Sequence, residues 1–182
     1  MKIRLATPED AEAIAAIYAP IVRDTTISFE WEPPTAEDFR ARIVKTLARY
    51  PWLVAADAND EVAGFVYAAG HRDAPSYQWS VNTSVFIRED ARSQGVGKAL
   101  YAELSHRLAA LGYYRAFAGV ALPNPASVAL HESVGYRVIG VYEKVGFKFG
   151  AWRDVMWLQK ELQPAVDQPG PLTPPTPLAG TA

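Results

Sequence analysis

The chain has 182 residues, of which 49% are hydrophobic and 21% charged, and its formal net charge is -2. That length and balance suit one folded domain with a buried core, and they exclude a disordered chain or a basic nucleic-acid groove. There is no cysteine, so disulfides, thiolate nucleophiles and sulfur-ligated metals are excluded; His71, His106 and His131 are too scattered for a ligand pattern, and no metal is expected.

Lys2 to Ala6 reads as a short strand. Thr7 follows as a helix N-cap, with Pro8 at the first helical position and Asp10 placed to answer the cap. This polar stretch arrives before a signal-peptide apolar region can develop, and no later apolar run reaches membrane-spanning length. A cytoplasmic location with no membrane partner is therefore the expectation. Ile14, Ile17, Tyr18 and Ile21 give the first helix one apolar face. After a loop from Thr25 to Glu32, the sequence Thr35-Ala36-Glu37-Asp38 repeats the capping logic before Phe39, Ile43 and Leu47.

Trp52 to Ala56 and Val62 to Ala69 are β-rich runs around the turn Asp57-Ala58-Asn59-Asp60, and Trp79 to Arg88 alternates again. Val96, Leu100, Leu104, Leu108 and Leu111 then recur at helical spacing, with Gly112 as the stop. Phe117 to Leu122 reads as a strand, Asn124 to Val134 as a short helix ended by Gly135, and Val138 to Tyr142 and Trp152 to Leu158 as two last strands. This order predicts one α/β domain over residues 1–162 with a mixed sheet. Residues 163–182 are rich in proline and poor in large apolar groups, so they are expected as a flexible tail.

The informative unit is the strand, the turn Arg92-Ser93-Gln94-Gly95-Val96-Gly97-Lys98, and the long helix behind it. Backbone N–H groups converge at such a helix start and suit an anion, with Gly95 and Gly97 allowing close approach and Arg92 and Lys98 adding positive charge. A Walker loop needs a longer glycine spacing, and a dinucleotide fingerprint needs a third glycine.

With these residues the chain resembles the GNAT N-acetyltransferase superfamily, whose pyrophosphate loop has the form Arg/Gln-x-x-Gly-x-Gly/Ala. More narrowly, Tyr50-Pro51-Trp52-Leu53-Val54-Ala55, Leu122-Pro123-Asn124, Ser127, Leu130-His131-Glu132, Gly135-Tyr136 and Gly146-Phe147-Lys148 are similar to the phosphinothricin acetyltransferase branch, which includes methionine sulfoximine and sulfone acetyltransferases. So are Gly150, Trp152, Asp154 and Val155, and the likeness covers about residues 2 to 162. It implies a mostly antiparallel GNAT-like sheet flanked by helices. It also implies an acetyl-CoA site using the backbone of Val85, Phe86 and Ile87, the loop Ser93 to Lys98, and Asn124.

The implied reaction is direct attack of a small amino-acid-like amine on the thioester. His131 aligns with the family's histidine and is the acid/base candidate. Arg72 and Tyr77 match a stretch that meets the acceptor in the family, and Phe29 is a candidate either for lining the acceptor side or for packing. Asn82 departs from the branch, which places a glutamate there as general base; water, His131, Glu30, Glu32 or Asp73 must then take the proton. Ala74 stands where some phosphinothricin enzymes have a second basic residue. These departures leave open a polyamine, an aminoglycoside or a protein N-terminus as acceptor, or a non-catalytic acyl-CoA-binding module. Trp31, Trp79, Trp152 and Trp157 are expected as core or interface aromatics. The Gly146 to Val155 stretch resembles a segment near the subunit contact of relatives, so a homodimer is expected.

Overall fold

A computed structural model describes residues 1–175. Its elements are β1 (Lys2–Leu5), α1 (Ala11–Asp24), α2 (Ala36–Leu47), β2 (Trp52–Ala56), β3 (Val62–Gly70), β4 (Ser80–Ile87), α3 (Val96–Ala110), β5 (Arg115–Ala121), α4 (Pro125–Ser133), β6 (Arg137–Lys148) and β7 (Ala151–Glu161). Seven strands form one sheet in the order β1-β2-β3-β4-β5-β7-β6, antiparallel except between β4 and β5. No helix among the described residues is long and apolar enough to cross a membrane.

Strand alternation splits the core in two. Leu53, Ala55, Val66, Ala68, Val81, Ala116 and Ala118 face α3, where Leu100, Leu104 and Leu108 bury fully. Trp52, Val54, Phe65 and Tyr67 face α1 and α2, which bring Ile14, Ile17, Tyr18, Phe39 and Ile43. The helical spacing read from the sequence is thus the spacing of the residues that cover the sheet.

The Thr35 cap holds as expected, whereas Thr7 caps a 3-10 turn and α1 begins only after Asp10. The Thr35 hydroxyl accepts from the Asp38 N–H, and the Asp38 carboxylate from the Thr35 N–H. Asp10 accepts from the Thr7 N–H at 2.8 Å, but it also receives both guanidinium nitrogens of Arg4, at 2.7 and 2.8 Å. A 3-10 turn, Pro8–Asp10, lies between that cap and α1.

The last two strands are longer than the sequence predicts. β6 and β7 run on as a hairpin to a turn at Phe149–Gly150, with a register shift between Tyr142 and Gly146. At that bulge Lys144 takes a positive φ and its N–H is held by the Asp154 carboxylate at 2.8 Å. The Trp31 and Trp152 side chains are not core: they are 76% and 59% exposed.

The segment after Leu162 was expected as a flexible tail, yet its described part returns to the body. The Thr173 N–H meets the Leu111 carbonyl at 3.0 Å, Trp79 donates to the Gly170 carbonyl, and Leu172 sits over Gly112. Residues 176–182 of that expectation lie outside the described residues.

Asp10 yields a stability prediction. Burial raises its pKa, but hydrogen bonds from Arg4 and Thr7 and the charge of Arg4 outweigh burial and leave it below the usual carboxylate value. A depressed carboxylate stabilises the fold above its unfolded pKa, and that contribution is lost as pH falls through the lower folded value. Asp10→Asn is expected to cost about 2 kcal/mol in denaturant melts at pH 7. The deficit should shrink below about pH 4.

Candidate active site

β4 and β5 are joined by only three residue pairs, Ser80–Arg115, Val81–Ala116 and Asn82–Phe117, although β4 continues to Ile87 and β5 to Ala121. Beyond the third pair the strands diverge. The Thr83 hydroxyl donates to the Phe117 carbonyl at 3.1 Å, and Tyr136 donates to that hydroxyl at 2.8 Å. A side chain thereby fills the ladder position where the backbone bonds stop. From Thr83 to Ile87, the β4 edge toward β5 carries backbone groups without a strand partner.

Two adjoining cavities open from this divergence. The outer one, about 530 Å³, is lined by Val85, Phe86, Ile87, Arg92, Ser93, Gly95, Val96, Gly97 and Lys98, with α4 opposite. The inner one, about 200 Å³, is lined among others by Tyr18, Tyr67, Thr83, Ser84, Gly119 and His131. Ile27, Val85, Phe86, Asn124 and Ser127 border both.

The turn before α3 has the shape that its glycines suggest. Gly95 has φ 82°, a left-handed conformation, and caps α3 with an N–H array facing the outer cavity. At Gly97 a Cβ would lie 2.9 Å from the Leu130 Cδ2, so any larger residue would push that side chain aside where α3 meets α4. Gln94 faces back, donating to the Asp90 carbonyl at 2.6 Å, and the Arg92 Nε lies 3.4 Å from the Ile87 carbonyl. Asn124 caps α4 by accepting from the Ser127 N–H at 3.1 Å.

His131 lines the inner cavity and is 4% exposed. Its Nδ1 lies 2.7 Å from the Ser127 carbonyl, which requires a proton there. Nε2 must therefore accept from the Tyr101 hydroxyl at 2.7 Å. Burial lowers the imidazole's pKa, with the Ser127 carbonyl opposing, and burial lifts Tyr101 well above the ordinary phenol value. The resting ring is polar but engaged at both nitrogens.

The other face of β4 presents Asn82, Ser84 and Phe86 toward α1. The loop between α1 and α2 covers this side, and its anchor was not read from the sequence. Lys148, at the end of β6, is 3% exposed and donates to the Val22 and Ser28 carbonyls at 2.6 and 2.7 Å. Val22 is in the last turn of α1, where a cation also meets the negative end of the helix. Burial lowers the ammonium's pKa, with Glu30 opposing. The Phe29 ring lies on Gly146, occupying the space a Cβ there would need. The Ser28 hydroxyl lies 2.8 Å from that of Tyr18, and Glu30 accepts from Tyr18 and from both guanidinium nitrogens of Arg42.

The structure therefore gathers Val85 to Ile87, Arg92, Ser93, Gly95 to Lys98, Asn124, Ser127 and His131 around the two adjoining cavities, while Gln94 turns away from them. It does not bring Arg72 and Tyr77 to either cavity: both are exposed on the connection between β3 and β4, the Arg72 guanidinium 5.9 Å above the Tyr77 ring. Glu32 and Asp73 are also exposed. Asn82 lies at the fork of the strands, and His71, set aside with the other histidines, is its hydrogen-bond partner at 2.9 Å. Tyr101, Thr83 and Tyr136 were missed because a buried tyrosine or threonine in an apolar run carries no mark of its partner.

An acetyltransferase (GNAT) domain family model matches residues 3–157. A phosphinothricin N-acetyltransferase from Streptomyces coelicolor is 38% identical, over 89% of this chain and 96% of its own length. An L-methionine sulfoximine/L-methionine sulfone acetyltransferase from Pseudomonas aeruginosa is 36% identical, over 92% and 98%. A crystal structure of a phosphinothricin acetyltransferase from Sinorhizobium meliloti in complex with acetyl-CoA has a TM-score of 0.84 at 31% identity, covering 98% of this chain and 94% of that one.

Replacing the buried ammonium leaves two carbonyls without a donor. Lys148→Met is expected to lower stability by about 1–3 kcal/mol in denaturant melts. It should also speed amide exchange selectively over residues 25–32, and uniform exchange across the chain would contradict the anchoring role.

Proposed function

The chain belongs to the GNAT acetyltransferase family and is an acetyl-CoA-dependent N-acetyltransferase. From that premise we propose that its acceptor is the α-amine of a small amino-acid-like molecule of the phosphinothricin, methionine sulfoximine or methionine sulfone type. The names of the relatives above support this acceptor class, and the early end of the β4–β5 ladder carries the acetyl-CoA part of the reading.

The residues present fit acetyl-CoA, which supplies the thioester carbonyl and a thiolate leaving group. In this reading the free β4 edge at Val85, Phe86 and Ile87 pairs with the pantetheine amides. The N–H groups of the turn from Ser93 to Lys98 hold the pyrophosphate, with Arg92 and Lys98 adding charge. Asn124 and Ser127 border the passage between the cavities. Phe29 walls the acceptor side and Asn82 stands beside it at the strand fork, while Arg72 and Tyr77, which line neither cavity, would meet the acceptor's acid group only if the β3–β4 connection moved inward.

His131 is the proton-transfer group beside the leaving sulfur. Being neutral at rest, it works as a relay, taking a proton released at the reacting nitrogen and returning it to sulfur while its bonds to Ser127 and Tyr101 lengthen. Asn82 supports a second reading, in which a polyamine, an aminoglycoside or a protein N-terminus is the acceptor. A chain that only binds acyl-CoA is the non-catalytic alternative.

Calorimetry with acetyl-CoA, followed by a thiol-release assay across these amines, tests the proposal. Binding and release with methionine sulfone or phosphinothricin are expected; release with peptides alone would move the acceptor to protein N-termini. His131→Ala is expected to lower kcat by roughly 10- to 100-fold while acetyl-CoA affinity changes little, because proton transfer matters in the transition state.

The chain is further proposed to form a homodimer through the β6–β7 hairpin. Gly146 and Lys148 point inward, which leaves Phe147 on the outer face, where it pairs with Trp152 at 5.3 Å between ring centres. Val138, Ile139, Val141 and Tyr142 are also 43–48% exposed along β6, an apolar surface that a second copy of this chain would cover. Light scattering should show a dimer, and Trp152→Glu should shift it to monomer.

A further inference from the structure

The acceptor amine reaches neutral water as an ammonium and must lose a proton before it can attack. On its side of the sheet, Glu30 is held by Arg42 and Tyr18, while Glu32 and Asp73 point to solvent. His71 differs from these three in its geometry. Its ring is half-buried and lies flat on Phe117 of β5, 4.1 Å between centres at an angle of 19°. Its Nδ1 is 2.9 Å from the Asn82 Oδ1.

The orientation of the Asn82 amide sets the tautomer. Its Nδ2 faces the Gly70 carbonyl at 3.4 Å, so turning the amide over would set two oxygens against each other. With Oδ1 toward His71, Nδ1 must carry the proton, and the lone pair is left on Nε2. His131 has the same tautomer, but its Nε2 is filled by Tyr101; the His71 Nε2 has no hydrogen-bond partner among the described residues.

Alternation along the strands places this lone pair on the acceptor face. Asn82 shares a face with Ser84, and Phe117 with Gly119, and both Ser84 and Gly119 line the inner cavity. Two residues along a strand span about 7 Å, which a bound amine and one water can bridge. We propose that His71 is the general base of this enzyme, with Asn82 as the positioning residue that directs its free nitrogen. The inference rests on the acetyltransferase reading above.

The step balances. Nε2 takes one proton from R–NH3+, leaving R–NH2 and a protonated His71. The nitrogen lone pair forms the N–C bond, the C–S bond breaks, and sulfur leaves with the electron pair. The second proton lost by the nitrogen goes to sulfur, and His71 returns the first to solvent. Phe117 and Asn82, which face the ring from β5 and β4, do not titrate. Tyr77, at 5.8 Å, and the exposed neighbours Arg72 and Asp73 are the titratable or charged groups beside it.

Thiol-release rates of the full chain, measured against pH for wild type and His71→Gln, test the assignment. Glutamine can still donate to Asn82 but cannot take the proton. A loss of roughly 100-fold in kcat at pH 7 is expected, with the KM for acetyl-CoA within about threefold. The deficit should shrink as pH rises and the amine deprotonates in solution. Asn82→Ala, which leaves the imidazole but frees its tautomer, should lower kcat less and keep the wild-type pH limb. If His71→Gln does not fold, a kcat for Asn82→Ala equal to wild type sinks the proposal. An active wild type matched by His71→Gln at every pH overturns this inference alone. A wild type that binds acetyl-CoA and releases no thiol with any amine overturns the acceptor reading as well.

Discussion

The site depends on one unfinished ladder. A parallel pair is the sheet's only non-antiparallel junction, and its pairing ends after Asn82 and Phe117. Had it run to Ile87, the edge of β4 would be consumed by β5 and no cavity would lie between α3 and α4. Thr83 ends it with a side chain, donating to the Phe117 carbonyl under the Tyr136 hydroxyl. The fork therefore has no orphaned carbonyl at its vertex, where one would be costly. Each arm is braced on its other side: β4 by a full antiparallel register with β3, β5 by seven pairs with β7.

Opposite the fork, the acceptor side is built from segments far apart in sequence. Lys148 bridges to Val22 and Ser28, more than a hundred residues away. The same stretch of β6 therefore does two jobs by alternation. Gly146 and Lys148 grip the loop that carries Phe29, while Phe147 faces outward beside Trp152. Docking of a second copy on that outer face would stiffen the strand that holds the acceptor loop.

The sequence was most legible where local physics decides structure. The two Thr-x-x-Asp caps, the leucine spacing of α3 and the Gly95 turn all act within a few residues, and each is found in place. The hairpin of β6 and β7 was read too short because its bulge at Lys144 is held by Asp154, ten positions later. Long-range polar contacts were not legible. Nothing local marks Lys148 as buried, or Tyr101 as the partner of His131, or the docking of Leu172 on Gly112. The resemblance supplied candidate site residues, but could not say which nitrogens would be engaged.

That last question separates the two histidines. Both have Nδ1 facing a carbonyl-type oxygen, Ser127 O for His131 and Asn82 Oδ1 for His71, so both have the proton on the same nitrogen. Their opposite nitrogens differ. Tyr101, itself buried and hard to ionise, closes the second nitrogen of His131. The half-buried ring of His71 lies on Phe117 near the exposed β3–β4 connection, with a route to water. Acetyl transfer to an ammonium releases one net proton per turnover. In the mechanism proposed above, an open imidazole at the amine and a closed one at the sulfur would give that traffic its direction. In that proposal an asparagine at position 82 is no defect, since its amide holds the His71 ring by Nδ1.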